Sequence, residues 1–302
     1  MNSNEIKTSN VCRDGKALSN RIKFIAPNLI TATSLVLGVV SIFFSVTGYA
    51  YWAGWMILIS VLLDKLDGTT ARLLGASSRF GVEFDSLADL IAFGAAPAIF
   101  AFTSLYGNNS FVLSSPHTIL LAAGCGFYIL CSAIRLARFN VEATLGGADI
   151  YFGLPMPMAG GFLVTTLLFL MKYSPQYFNY HGWRLDYAIL GAFSPPVFLF
   201  RYFWALIIIT AFLMISGLKV PKPNPNGNKG RDIYLITNIA ITYLFIPFRV
   251  FPEYLLLVAL QYLSVAFAFT FFMSKSQNHQ KRDFLDVLAL PPLEGEPIKN
   301  ED

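Results

Sequence analysis

The chain has 302 residues, of which 55% are hydrophobic and only 13% charged, with a net charge of +4 and a mean hydropathy of +0.55. Soluble domains carry about 25% charged residues, so an ordinary soluble enzyme is excluded and one integral membrane bundle is expected. Cys12, Cys125 and Cys131 have no ligand-like spacing, which argues against a disulfide framework or a zinc site.

Residues 1–23 form a polar, basic leader without a cleavable apolar core, so no signal peptide is expected. Eight apolar segments follow, at about 27–48, 50–68, 86–106, 117–137, 157–172, 187–217, 233–250 and 253–273. The fifth is short for a span. The sixth contains Pro195-Pro196, and its spanning part is expected from Val197 to Leu218. PKPNPNGNKGR, before the seventh segment, reads as a turn-rich connection. The bundle is taken as 24–274, and 275–302 as a tail whose Pro and Glu content indicates disorder.

Basic residues set the orientation. Lys7, Arg13, Lys16, Arg21 and Lys23 precede the first segment, and Lys65, Arg72 and Arg79 surround the end of the second. Arg135 and Arg138 close the fourth, Lys219, Lys222, Lys229 and Arg231 follow the sixth, and Lys275, Lys281 and Arg282 follow the eighth. Lys172, Arg184, Arg201 and Arg249 are exceptions. The expectation is an all-α, polytopic bundle of about eight transmembrane helices with both termini cytoplasmic. No nucleic-acid partner is expected.

The stretch DKLDGTTARLLGASSRFGVEFDSLADL, residues 64–90, places acids between two apolar segments. Carboxylates are costly in a bilayer and so mark function by default. Asp64 and Asp67 share a helix face with Ala71, and Gly81, Asp85 and Asp89 form a second stripe. Gly75, Ser77, Ser78 and Gly81 offer a tight turn that would fold the stripes together. Two like charges about 4 Å apart repel by about 4 kcal/mol at an effective dielectric of 20. Four converged carboxylates therefore call for counter-charge. An all-oxygen ligand set favours a hard cation such as Mg²⁺ or Mn²⁺, and two such ions can clamp a displacement at phosphorus. Gly68, Ala71 and Gly81 are small enough for a phosphate-bearing ligand to approach the backbone. The competing reading is a set of interfacial salt bridges with Lys65, Arg72 and Arg79.

Asp64-x-x-Asp67-Gly68-x-x-Ala71-Arg72, eight residues, then Gly81-x-x-x-Asp85-x-x-x-Asp89 resembles the CDP-alcohol phosphotransferase motif at every fixed position. The resemblance implies transfer of a phosphatidyl or phospho-alcohol group from a CDP-linked donor to an alcohol, with release of CMP, inside a membrane bundle. It further implies that Asp64, Asp67 and Asp85 bind two divalent metals. Asp89 would contribute to that metal site or activate the acceptor hydroxyl, and Gly68, Ala71, Arg72 and Gly81 would contact the CDP group.

IAPNLITATSL, DSLADLIAFGAAPA, RLARFN and GLPMPMAGG, within about 24–165, look like phosphatidylserine synthases of the membrane-integral bacterial type. This implies CDP-diacylglycerol and L-serine as substrates, membrane lipid as surroundings, and a bacterial inner membrane with the active site on its cytoplasmic face. A homodimer is left open. Arg135, Arg138 and Asn140 suit a serine carboxylate, since arginine grips carboxylates bidentately; snorkelling is the alternative for the arginines. Asn28 and Thr31, one turn apart in the first segment, would bond a donor phosphate or a neighbouring helix. Gly153, Pro155, Pro157, Gly160 and Gly161 read as a helix entrance with close packing. The rival activities are the same transfer to glycerol phosphate or inositol, or a cation transporter using the acidic cluster.

Overall fold

The computed structural model describes residues 3–76, 78–106, 115–144, 150–174, 178, 189–191, 194–221, 229–249 and 251–276. Ten α-helices appear among them: α1 Ser3–Val46, α2 Ala50–Leu74, α3 Arg79–Asp89, α4 Ala96–Tyr106, α5 Ser115–Thr144, α6 Met156–Lys172, α7 Phe198–Arg201, α8 Phe203–Ile215, α9 Lys229–Phe248 and α10 Pro252–Ser276. A π-helical turn, Leu90–Ala95, joins α3 to α4 into one continuous rod.

Four stretches are long and apolar enough to cross a membrane: Lys23–Val46, Arg79–Tyr106, Pro116–Val141 and Pro252–Phe271. Met156–Lys172, Phe203–Ile215 and Thr237–Phe248 are shorter apolar helices. The second expected segment lies in α2, whose apolar run is interrupted by Asp64, Lys65 and Asp67. The fold is therefore a polytopic membrane helix bundle. At about 1.5 Å per residue, the sixth segment's α8 is only about 20 Å long and does not span a 30 Å hydrocarbon core by itself.

Small and hydroxyl side chains set the closest helix pairs, as expected where apolar burial cannot drive association within lipid. The Ser34 and Ser60 hydroxyls are 2.6 Å apart, and Ser41 Oγ donates to the Ala53 carbonyl at 2.9 Å; both join α1 to α2. A Cβ at Gly38 would sit 2.9 Å from Ala92 Cα, so α1 crosses the π turn almost backbone to backbone. The apolar centre holds Trp55, Phe93, Phe100, Tyr128, Leu163 and Leu167, all essentially inaccessible. It has α6 at its middle: Met156, Ala159, Phe162, Leu163 and Leu167 are all buried. Apolar residues on most faces are what a central helix requires.

Ile150–Phe152 and Lys219–Pro221 form a two-stranded antiparallel ribbon, a small departure from the all-helical expectation. It fastens the entrance of α6 to the exit of α8. Gly153, with φ +77, turns the chain there, and its amide donates to the Leu218 carbonyl at 2.8 Å. A Cβ at Gly153 would collide with the Met214 carbonyl, so the helix-entrance reading of this stretch matches its geometry. Gly160 is close-packed too, though less tightly, 3.1 Å from the Phe93 carbonyl by the same measure, whereas Gly161 faces open space. The expected tail, apart from its first two residues, and most of PKPNPNGNKGR lie outside the described residues.

Candidate active site

The acidic stretch folds as a helical hairpin. Gly75, with φ 58, ends α2, its amide reaching the Ala71 and Arg72 carbonyls. Ser78 opens α3, its hydroxyl accepting the Gly81 amide at 3.0 Å. A left-handed C-cap glycine followed by a serine N-cap is the local chemistry that reverses a helix within a few residues. The two acidic stripes thus face each other. Carboxylate oxygens of Asp64, Asp67 and Asp85 lie within 4.8 Å of one another. Asp89 is in hydrogen-bond contact with Asp64 from one turn deeper in the bundle.

The salt-bridge alternative fails on geometry. Lys65, Arg72 and Arg79 are all exposed, and among the described residues no ion pair reaches the four aspartates. Asp67 is buried and Asp64 and Asp85 half-buried, which is a poor place for uncompensated charge. An all-oxygen pocket of three mutually adjacent carboxylates, with a fourth against it, fits a small divalent cation of the Mg²⁺ class.

The surrounding residues divide by role. Thr31, buried in α1, donates its hydroxyl to Asp67 Oδ2 at 2.7 Å, so the structure uses it to orient a carboxylate on the neighbouring helix. Asn28, one turn earlier, places its Oδ1 where a Gly81 side chain would lie, 3.0 Å from a Cβ built there. At Gly68 a Cβ would meet nothing within 4 Å. The internal packing thus leaves Gly68 unused, although glycine inside a helix costs about 1 kcal/mol relative to alanine. Ala71 is half-buried and Arg72 exposed beside it.

Arg135 and Arg138 are each only 8% exposed, which rules out snorkelling. Their level in the bundle follows from the bonds on either side. Tyr128 of α5 donates to the Phe93 carbonyl, Ser132 packs against Gly94, and Asn140 Nδ2 donates to Ser86 Oγ at 3.1 Å. The two arginines lie between these contacts and so run alongside the turns that carry Asp89. Asn140, expected to meet a serine carboxylate, donates to Ser86, next to Asp85.

Two residues escaped the sequence reading. Ser86 occupies a variable slot of the motif, and only the α3–α5 contact shows its use. Tyr243 of α9 brings its hydroxyl to 3.4 Å from the Leu62 carbonyl, within electrostatic reach of Asp64 and Asp67. No sequence pattern near it signals that approach.

Comparison with known proteins agrees with this geometry. CDP-diacylglycerol–serine O-phosphatidyltransferases of two Helicobacter pylori strains, 26695 and J99, are 32% and 37% identical over 201 residues, covering 66% of this chain and 72% of each relative. The Saccharomyces cerevisiae protein of the same name is 36% identical over 192 residues, covering 60% of this chain and 63% of the relative. The CDP-alcohol phosphatidyltransferase family model matches residues 24–193, more than half of the chain and the whole of the aspartate hairpin. The match over residues 24–193, which takes in the whole acidic hairpin within its membrane bundle, places this chain in the CDP-alcohol phosphatidyltransferase family.

Proposed function

We propose that the chain transfers the phosphatidyl group of CDP-diacylglycerol to the hydroxyl of L-serine, giving phosphatidylserine and CMP, with divalent-metal dependence. The observation that carries this reading is the approach of the Asp64, Asp67 and Asp85 oxygens to within 4.8 Å of one another beside the open backbone at Gly68. The names of the most similar relatives support serine as acceptor. Basic residues at one set of helix ends support a cytoplasmic active site and cytoplasmic termini, and the two bacterial relatives support a bacterial inner membrane.

Asp64, Asp67 and Asp85 would hold one or two Mg²⁺ or Mn²⁺ ions, with Asp89 at their edge. Such ions supply charge neutralisation for a pyrophosphate and its leaving group. Thr31 keeps Asp67 in one rotamer through its 2.7 Å bond. Gly68, Ala71, Arg72 and Gly81 form the surface that the CDP moiety approaches, with Asn28 at its rim. Arg135 and Arg138 bind the serine carboxylate, and their burial strengthens the pairing by excluding water. Asn140 fixes α5 against α3 through Ser86.

The serine hydroxyl oxygen then bonds to the phosphorus that carries diacylglycerol. The bond from that phosphorus to the bridging oxygen of CMP breaks, and CMP leaves with the electron pair. Asp89 accepts the hydroxyl proton.

The test is purified protein with CDP-diacylglycerol, labelled serine and Mg²⁺ or Mn²⁺, with glycerol phosphate and inositol as parallel acceptors. CMP and labelled phosphatidylserine should appear together, only with serine and only with metal. CMP release with inositol or glycerol phosphate but not serine would reassign the acceptor.

A further inference from the structure

The rod from α3 to α4 changes its winding directly after Asp89. Residues Leu90–Ala95 form a π turn, and the Ala96 amide bonds back to the Ile91 carbonyl, five residues earlier. The cause is legible in the chain. Pro97 follows, and proline has no N–H for the carbonyl four residues before it, while its ring crowds that carbonyl. That carbonyl is Phe93. Tyr128, wholly buried in α5, supplies a donor from another helix: its hydroxyl reaches the Phe93 oxygen at 2.9 Å.

The turn is also clamped on three sides. Gly38 of α1 presses on Ala92, Ser132 of α5 lies against Gly94, and Gly160 of α6 admits both the Phe93 carbonyl and the Pro97 ring. A wide turn carries about one extra residue, which rotates everything before it by about 100° relative to everything after it. A swing of that size decides whether Asp85 and Asp89 face Asp64 and Asp67 or face away.

We infer that Tyr128 is a positioning residue: its hydroxyl holds the π turn behind Asp89 and so sets the rotation of Asp85 and Asp89 toward Asp64 and Asp67. This rests on the proposed reading in which those aspartates work at the reacting centre. Tyr128 is wholly buried, and its hydroxyl acts through the Phe93 carbonyl with the Ser132 side chain beside it.

Tyr128→Phe removes one oxygen and keeps the ring. In full-length protein in detergent–lipid micelles, kcat should fall about tenfold to a hundredfold, the range expected for a misplaced catalytic group. The metal concentration for half-maximal rate should rise several-fold, while KM for serine and the thermal midpoint stay near wild type. Pro97→Ala restores a backbone donor to Phe93, so Tyr128→Phe should cost much less in that background than in the native one. Native kcat and metal requirement in Tyr128→Phe would overturn the inference. So would a variant that loses its fold, because the hydroxyl would then be a folding requirement; an equal penalty in both backgrounds would place its action elsewhere. If Pro97→Ala does not fold, the split between kcat and serine KM in Tyr128→Phe decides alone. Wild-type protein is assayed beside each variant, and its inactivity would instead break the proposed function.

Discussion

Two buried polar centres occupy opposite ends of α2, and they solve the problem of carboxylates in an apolar bundle in opposite ways. Near the N-terminal end, Glu253 of α10 has its own cation: Lys172 Nζ lies 2.6 Å from its Oε1, and Tyr173 donates to the same oxygen at 2.7 Å, while Oε2 is buried without a hydrogen-bond partner. Arg249 stacks 4.2 Å over the Trp52 ring nearby. Toward the C-terminal end, four aspartates crowd together, and no basic residue among those described pairs with them. An acid given its own cation ties helices together. Acids gathered without one suit the divalent cation proposed for them. The first centre joins α6 to α10, and the second is where the proposed chemistry would take place.

The largest effect that could break this contrast is expected in the aspartates. Asp64→Asn, Asp67→Asn and Asp85→Asn should each lose metal affinity and turnover together, by at least the factor of about 10²–10⁴ typical of a lost acid–base group. Their metal-free thermal midpoints should hold or rise, because each substitution relieves like-charge repulsion. Asp89→Asn should retain donor and metal binding while turnover falls by a similar factor. Four variants with near-native turnover would make the cluster structural and the two centres alike.

Glu253→Gln should do the reverse. Leaving Lys172 without its charge partner is expected to cost about 3 kcal/mol of stability, the order found when one member of a buried pair is removed. Turnover of the folded fraction should be unchanged. Unfolding midpoints and activity, measured on the same preparation, check both halves. A Glu253→Gln enzyme with native stability but impaired turnover would place the outer centre in the mechanism.

A subtler separation is available at Gly68. Because a Cβ there meets open space, Gly68→Ala should stabilise α2 by about 0.5–1 kcal/mol and still raise KM for CDP-diacylglycerol. Stability and affinity moving in opposite directions is the signature of a residue kept for its ligand. An unchanged donor KM would return Gly68 to the lipid or solvent surface.

An effect confined to the acceptor is expected at Arg138. Arg138→Lys keeps the charge but loses the planar fork, so KM for serine should rise by about tenfold with little change for the donor. Serinamide, lacking the carboxylate, should be a poor acceptor. Efficient serinamide turnover would remove both arginines from acceptor recognition.

Much of the site was legible because it is local. Asp64 and Asp67 share a face by helical periodicity, and so do Gly81, Asp85 and Asp89. Gly75 and Ser78 announce the reversal between them through their capping chemistry. The membrane class and the apolar segments follow equally directly from hydropathy. The contacts that no local pattern shows are those whose partners lie far along the chain: Thr31 and Asp67 are 36 positions apart, Ser86 and Asn140 are 54 apart, and Tyr243 and Leu62 are 181 apart.

The sequence by itself therefore determined which side chains share a face, where the helices turn, and which chemistry an acidic, glycine-bearing hairpin can perform. Only the tertiary structure decided what each face meets. It gave Thr31 to Asp67, brought Asn140 to Ser86, buried Arg135 and Arg138, and set Tyr128 on the carbonyl opposite Pro97. The physical reason is that 3.6-residue periodicity orients a side chain within one helix. The depth and rotation at which two helices cross come from close contacts such as Gly38 on Ala92 and Gly160 on Phe93, between residues that no local pattern links.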